Sequence, residues 1–212
     1  DTTVVTLQNG MGNAEEIARI IPADRIYVGL CFICAMREKP GHVNHLEGGN
    51  IQFAPFIPTP EGTEKARELS ELFANAGIKT RAFDAAEQIQ WYKLVWNIPF
   101  NGLCLALGGI SIAELYQNPE NVMRARRIME EVVQAAKARG YALPEDLVEF
   151  HLSRTETMGA FIPSSAVDYN EGRPVEYTAI WGDPLSKARQ AGASVPEWEL
   201  LDKAIRKRLN IN

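Results

Sequence analysis

Apolar residues in the first part of the chain recur at the spacing of buried strands, and later they recur at the spacing of helices. Residues 2–8 run apolar and alternate like a buried strand. Gln8-Asn9-Gly10-Met11-Gly12-Asn13 then turns the chain into a helical pattern over residues 14–21. Pro22-Ala23-Asp24 ends that helix and residues 25–35 form the next apolar strand, which gives the β-α-β rhythm of a parallel sheet with crossover helices. Pro40-Gly41 and Gly48-Gly49-Asn50 punctuate two stretches, 43–46 and 51–56, that read as a hairpin. An amphipathic helix over 61–76 leads through Gly77 into a short strand at 78–83. Beyond it the patterning is entirely helical, so a domain boundary is expected near residue 85, with an α/β part over 1–85 and a helical part over 86–212.

Asp84 followed by Glu87 has the spacing of a capping box. The long helix it opens runs through Trp91-Tyr92-Lys93-Leu94-Val95-Trp96-Asn97 toward Gly108-Gly109, with Pro99 removing one hydrogen bond in its middle. Asn118-Pro119 is a cap followed by proline at the first helical position. Val122, Met129, Val132, Val133 and Ala136 then make one apolar stripe ending at Gly140. Further helices are expected over 144–157, 175–191 and 196–209, giving about five in one bundle.

Composition narrows the classes. Of the 212 residues, 46% are hydrophobic and 23% charged, the balance of a globular protein able to bury a core. A net charge of −5 leaves no basic field for a phosphate polymer, so nucleic acid is not an expected partner. The longest apolar runs, such as 26–36, stay far below the roughly 20 residues that span a bilayer, and no membrane association is expected. The opening Asp-Thr-Thr-Val-Val has no initiator methionine and no signal-peptide pattern, and reads as a cut end. Three cysteines, an odd and sparse set, suit a reducing cytoplasm. Cys31 and Cys34 have C-x-x-C spacing but fall in an apolar strand, where residues three apart face opposite sides, and they read as inert core thiols. His42 and His45 lack the further ligands of a tetrahedral site, so no metal is expected.

The candidate chemistry begins on the long helix. Lys93, Asn97 and Asn101 fall at i, i+4 and i+8, and at about 100° per residue they line one face. Trp91, Leu94, Val95, Trp96, Ile98, Phe100, Leu103 and Leu105 surround them, too apolar a set for a solvated helix. Two readings stay open at this point. In one, Lys93 reaches solvent and the two amides satisfy loop backbone groups. In the other, an ammonium whose pKa burial lowers grips a carboxylate and a carbonyl oxygen together with the amides. The second cluster is Pro163-Ser164-Ser165-Ala166-Val167-Asp168 with Gly172-Arg173-Pro174-Val175-Glu176, a small-hydroxyl turn before a helix start. It serves equally as an anion site or as a plain N-cap, with Asp168 a charge in a solvated turn.

Taken in order and separation, Gln8-Asn9-Gly10-Met11-Gly12, the Lys93 to Asn97 helix with Asn101, and Ser164-Ser165-x-x-Asp168 followed by Gly172-Arg173-Pro174-x-Glu176 resemble the ketopantoate reductase family over nearly the whole chain. The resemblance implies the later part of a Rossmann-type dinucleotide-binding domain followed by an all-α helical bundle like the C-terminal domain of 6-phosphogluconate dehydrogenase. NADPH and 2-dehydropantoate would meet between the two domains, in pantothenate and coenzyme A biosynthesis. It further implies Lys93 as proton donor to the ketone, Asn97, Asn101, Ser164 and Ser111 as substrate-binding positions, and Asn9, Ala35 and Glu176 on the cofactor side. The chain departs from the family pattern where Ser111 and Phe161 replace polar contacts and where no G-x-G-x-x-G follows a strand. The alternatives carried forward are a reductase of another 2-oxoacid, a 3-hydroxyacid dehydrogenase relative, and a catalytically silent helical association fragment; a homodimer is the expected assembly.

Overall fold

The computed structural model describes residues 2–211, and the chain divides into two compact units, Asp1–Gln90 and Trp91–Asn212. The first unit opens with β1 (Val4–Thr6), α1 (Asn13–Ile17) and a 3-10 turn at Ala23–Arg25, followed by β2 (Ile26–Lys39), β3 (His42–Pro55), α2 (Pro60–Asn75) and β4 (Thr80–Ala82). These strands make one sheet in the order β1-β2-β3-β4, with β1 parallel to β2, β2 antiparallel to β3, and β3 parallel to β4.

The strand periodicity assigns side chains to two faces. Ile26, Val28 and Leu30 of β2 pack with Ala14 of α1 and with Ala86 and Ile89 farther along the chain. Tyr27 joins Ile51 and Phe53 of β3 and Ala66 of α2 on the other face. A strand covered on both sides has no polar positions to alternate, which explains the near-continuous apolar run at its start.

The hairpin differs from expectation. The stretches 43–46 and 51–56 do not pair with each other: 43–46 and 51–55 lie on one strand, β3, which pairs along β2 across the turn at Pro40-Gly41. Gly48-Gly49 marks an irregularity in that strand, where the register shifts opposite Phe32 and Ile33. Gly48 has φ of 81°, and a Cβ there would lie 2.3 Å from the Phe32 carbonyl oxygen. Only glycine fits such a bulge without strain. Among the described residues β1 and β4 pair with the hairpin only at residues 26–28 and 51–53, so its distal half lacks sheet neighbours there. Cys34 is accordingly half-buried and not a core residue, whereas Cys31, also half-buried, packs against the core cluster of Tyr27, Ile51, Phe53 and Ala66.

The second unit is helical. α3 (Ala86–Ala106) enters it from the first unit and is followed by α4 (Ile112–Tyr116), α5 (Pro119–Ala138), α6 (Leu147–Glu156), α7 (Ser164–Asn170), a π-helical segment at Thr178–Gly182, α8 (Asp183–Gln190) and α9 (Pro196–Leu209). The bundle thus has more pieces than the five expected. The helix anticipated over 175–191 begins as the π segment, and α4 and α7 are short helices that the periodicity did not separate.

Trp91, Leu94, Val95, Ile98, Phe100, Leu103, Cys104 and Leu105 of α3 are all buried, as a helix apolar all round must be. Burial, with a smaller contribution from the Glu114 charge, pushes the Cys104 thiol up to about 12. α5 starts as expected, with Asn118 accepting from the Glu120 amide at 3.0 Å and Pro119 in the first turn. Its Glu131 carboxylate accepts the backbone N–H groups of Glu197 (2.9 Å) and Trp198 (2.8 Å), capping α9, whose own cap residue Val195 has no acceptor side chain.

Candidate active site

α3 carries the ribbon. Lys93 is half-buried, Asn97 is 6% exposed and Asn101 2%. The two amides are held differently. Asn101 Oδ1 accepts the backbone N–H of Ser165 at 3.0 Å and the Ser164 hydroxyl at 3.4 Å. It therefore caps α7 from another helix. The serines do not cap α7 themselves, because the cap position is Pro163 and both lie within the helix. Asn97 has no hydrogen-bond partner among the described residues.

The structure thus joins Asn101 to Ser164, with Asn97 and Lys93 one and two turns away along the same helix face. Ser164 is exposed while Ser165 is buried. Asp168 lies within α7, not in a solvated turn: it is half-buried and pairs with Arg173 at 2.8 Å, and Arg173 also contacts Glu171. Glu176 is exposed and immediately precedes Tyr177 and the π segment.

Ser111 is the N-cap of α4 and closes a capping box: its hydroxyl donates to Glu114 Oε2 at 2.6 Å and its backbone N–H to the same oxygen at 2.8 Å. Those bonds hold the Glu114 carboxyl below its ordinary range. The Phe161 carbonyl accepts the Ile112 N–H at 2.9 Å, and its ring lies 6.5 Å from that of Trp96. The two positions departing from the family pattern are therefore neighbours, joined through the start of α4.

In the first unit, Asn9 is half-buried in the turn after β1 and its carbonyl accepts from Asn13 Nδ2 at 2.9 Å. Gly10 and Gly12 have φ of 78° and 88°, and the Gly10 carbonyl accepts from Gln90 Nε2 at 3.1 Å. Ala35 is exposed on β2.

Several residues beside the ribbon escaped the sequence reading. Trp181 Nε1 donates to the Ile98 carbonyl at 3.0 Å, and Trp96 Nε1 to Thr155 Oγ1 at 2.8 Å. The Tyr177 hydroxyl donates to the buried Asp202 at 2.5 Å. These bonds link residues 25 to 83 positions apart, and no local motif announces them.

The chain thus has an α/β unit with a strand, glycine turn and helix, and a helical unit built round one apolar helix with a Lys-x-x-x-Asn-x-x-x-Asn face. Comparison with known proteins makes this specific. Residues 85–208 match the family model of the ketopantoate reductase PanE/ApbA C terminal, and residues 1–58 match ketopantoate reductase PanE/ApbA. A curated relative, the 2-dehydropantoate 2-reductase of Nostoc sp., is 36% identical over 200 residues, covering 93% of this chain and 62% of the relative. The crystal structure of 2-dehydropantoate 2-reductase from Geobacter metallireducens GS-15 is 37% identical with a TM-score of 0.90, covering 97% of this chain and 68% of that one. A D-mandelate dehydrogenase in ternary complex with NADH and anilino(oxo)acetate shares the fold at 24% identity and a TM-score of 0.87, covering 100% of this chain and 69% of that one.

The chain belongs to the ketopantoate reductase family. It spans 62% of the length of the Nostoc relative. Its architecture is the expected one, a Rossmann-type α/β part followed by a helical domain. Among the described residues no helix is long and apolar enough to cross a membrane.

Proposed function

We propose that this chain supplies the substrate-binding and proton-donating machinery of a nicotinamide-dependent 2-oxoacid reductase, with 2-dehydropantoate as substrate and pantoate as product. The observation that carries the reading is Asn97, an amide 6% exposed and without a hydrogen-bond partner among the described residues, one turn from Lys93. The amide is thus largely enclosed with its hydrogen-bonding capacity left open, which suits a ligand oxygen or carboxylate at that spot.

NADPH is the cofactor of this reading, and the turn after β1 suits the nicotinamide end. Gly10 and Gly12, both at positive φ, shape the turn at the carboxyl end of a strand, where α/β sheets receive ligands. The reduced nicotinamide, when bound, supplies a hydride to the 2-oxo carbon. Lys93 stabilises the negative charge that grows on the ketone oxygen and donates the proton that quenches it. Asn97 and Asn101 orient the substrate through their amides, Asn101 while its oxygen holds the start of α7. Ser164 and Ser111 complete the substrate side, and Asn9, Ala35 and Glu176 the cofactor side.

The test is NADPH consumption on adding 2-dehydropantoate to the full gene product, with Lys93→Ala alongside. A positioned proton donor contributes about 10² to 10⁴ in rate, so the variant is expected to lose that factor in kcat. A rise in KM with kcat intact contradicts the role given to Lys93.

A second reading is favoured by one observation. The Ser111 hydroxyl is taken up by Glu114, and Phe161 presents a ring against Trp96, so these positions offer a substrate side chain little hydrogen bonding. If a 2-oxoacid with an apolar side chain is reduced with a higher kcat/KM than 2-dehydropantoate, that substrate replaces it.

A further inference from the structure

Pro99 lies between Asn97 and Asn101 and has no N–H, so the turn of α3 that carries both amides lacks one of its own hydrogen bonds. Such a turn takes its geometry from whatever braces it. The brace is visible. Trp181, fully buried, donates its indole N–H to the Ile98 carbonyl at 3.0 Å. Its ring abuts the next turn so closely that a Cβ on Gly102 would lie 2.9 Å from Trp181 Nε1.

Trp181 belongs to the π segment Thr178–Gly182, a rare geometry that is frequent at functional sites. The Tyr177 ring stacks on Trp181 with centroids 6.3 Å apart and an interplanar angle of 27°. The Tyr177 hydroxyl donates to Asp202 Oδ1 at 2.5 Å, and Arg206 Nε donates to the other carboxylate oxygen at 3.1 Å. The Arg206 guanidinium lies 5.1 Å above the Tyr177 ring. Asp202 is 6% exposed, so this is a braced, buried arrangement on α9. Burial, reinforced by Asp202, pushes the Tyr177 phenol up to about 12, so it stays a donor across the working pH range. Glu176 is the residue before Tyr177, and its carbonyl accepts the Ile180 N–H at 3.1 Å, which ties it to the same segment.

We infer that Asp202, Tyr177 and Trp181 form a strut that sets the position of the Asn97–Asn101 turn and of Glu176 together, which makes Tyr177 and Trp181 positioning residues of the site. The inference rests on the reductase reading for its kinetic consequence. The Trp181 end of the strut touches the backbone between the two amides, and its middle member Tyr177 directly follows Glu176, the carboxylate assigned to the cofactor side. Shifting the strut moves both, and a misplacement of about 1 Å costs on the order of 100-fold in rate.

The test uses Trp181→Phe, which keeps an aromatic ring and removes the N–H, and Tyr177→Phe, which removes the bond to Asp202. Thr59→Ala serves as control, because it uncaps α2 in the first unit without touching the strut. In the full gene product both strut variants are expected to lose about 10- to 100-fold in kcat, with KM changing far less. The double variant is expected to lose less than the product of the two single losses, since the residues act through one chain of contacts. A core-filling role alone predicts lower melting temperatures with kcat per folded molecule unchanged, and that result overturns the strut.

A second readout does not need turnover. The side-chain amide signals of Asn97 and Asn101, identified in 15N-asparagine-labelled protein through Asn97→Ala and Asn101→Ala, are expected to shift in both strut variants and not in Thr59→Ala. Unmoved signals overturn the strut whatever the activity. Shifted signals in a protein that reduces no 2-oxoacid leave the strut standing and overturn the reductase reading.

Discussion

Asn97 and Asn101 are almost equally buried and one turn apart, yet one amide is committed to the fold and the other is not. Asn101 Oδ1 holds the first turn of α7 through Ser165, so Asn101→Ala removes a helix cap, a loss of about 1 kcal/mol, together with any substrate contact. Asn97→Ala removes no hydrogen bond to the described residues. The expected pattern is a lower melting temperature for the Asn101 variant only, and a weakened kcat/KM for both. Equal destabilisation by the two substitutions would remove the basis for reading Asn97 as a ligand amide. The sequence could not separate the pair, because spacing gives a face of a helix and says nothing of which amide already has a partner. The bland and the functional readings of the ribbon thus each hold for part of it.

At the scale of elements, what was legible followed local rules. The apolar surround of α3 announced a central helix, and Asn118-Pro119 announced the start of α5. What was not legible depended on distant partners or on degenerate signals. α7 is capped from 64 residues away, and α9 by Glu131 on α5. Gly48-Gly49 carries the composition of a turn but forms a bulge, since glycine at positive φ serves both. The π segment hides within 175–191 because one extra residue in a turn barely alters the apolar spacing. Gly102 shows the same limit. In a helix interior Gly→Ala ordinarily gains about 1 kcal/mol, but here the added Cβ would meet Leu201 Cδ2 at 2.7 Å and Trp181 Nε1 at 2.9 Å. Overpacking of this kind costs typically 1–3 kcal/mol, so Gly102→Ala is expected to lower the urea midpoint. A stabilised variant would mean that α9 yields to α3 more readily than its buried contacts indicate.

For the whole molecule, the dependence of stability on pH is governed by groups that folding moves away from their ordinary pKa. His151 on α6 is 8% exposed, its Nε2 has no hydrogen-bond partner, and its ring lies edge-on to that of Tyr92 at 6.0 Å. Burial, with a smaller contribution from the Arg154 charge, takes its pKa from 6.5 to about 4. Above pH 6.5 the ring is neutral in both states and stability is at its full value. As pH falls from 6.5 toward 4 the unfolded chain takes up a proton that the folded one refuses, so stability drops by up to about 1.4 kcal/mol per pH unit, roughly 3 kcal/mol in all. Glu131 works in the opposite sense. Burial raises its pKa despite the two N–H groups it accepts, so the folded state holds a proton there that the unfolded state has released, and acidification through that range favours folding. Because the two slopes oppose each other, the wild-type profile alone cannot separate them, but His151→Phe can. The variant removes the titration and the orphaned nitrogen together. The drop in melting temperature between pH 7 and pH 4.5 is therefore expected to shrink in the variant, and a drop as large as that of the wild type would place the acid sensitivity elsewhere.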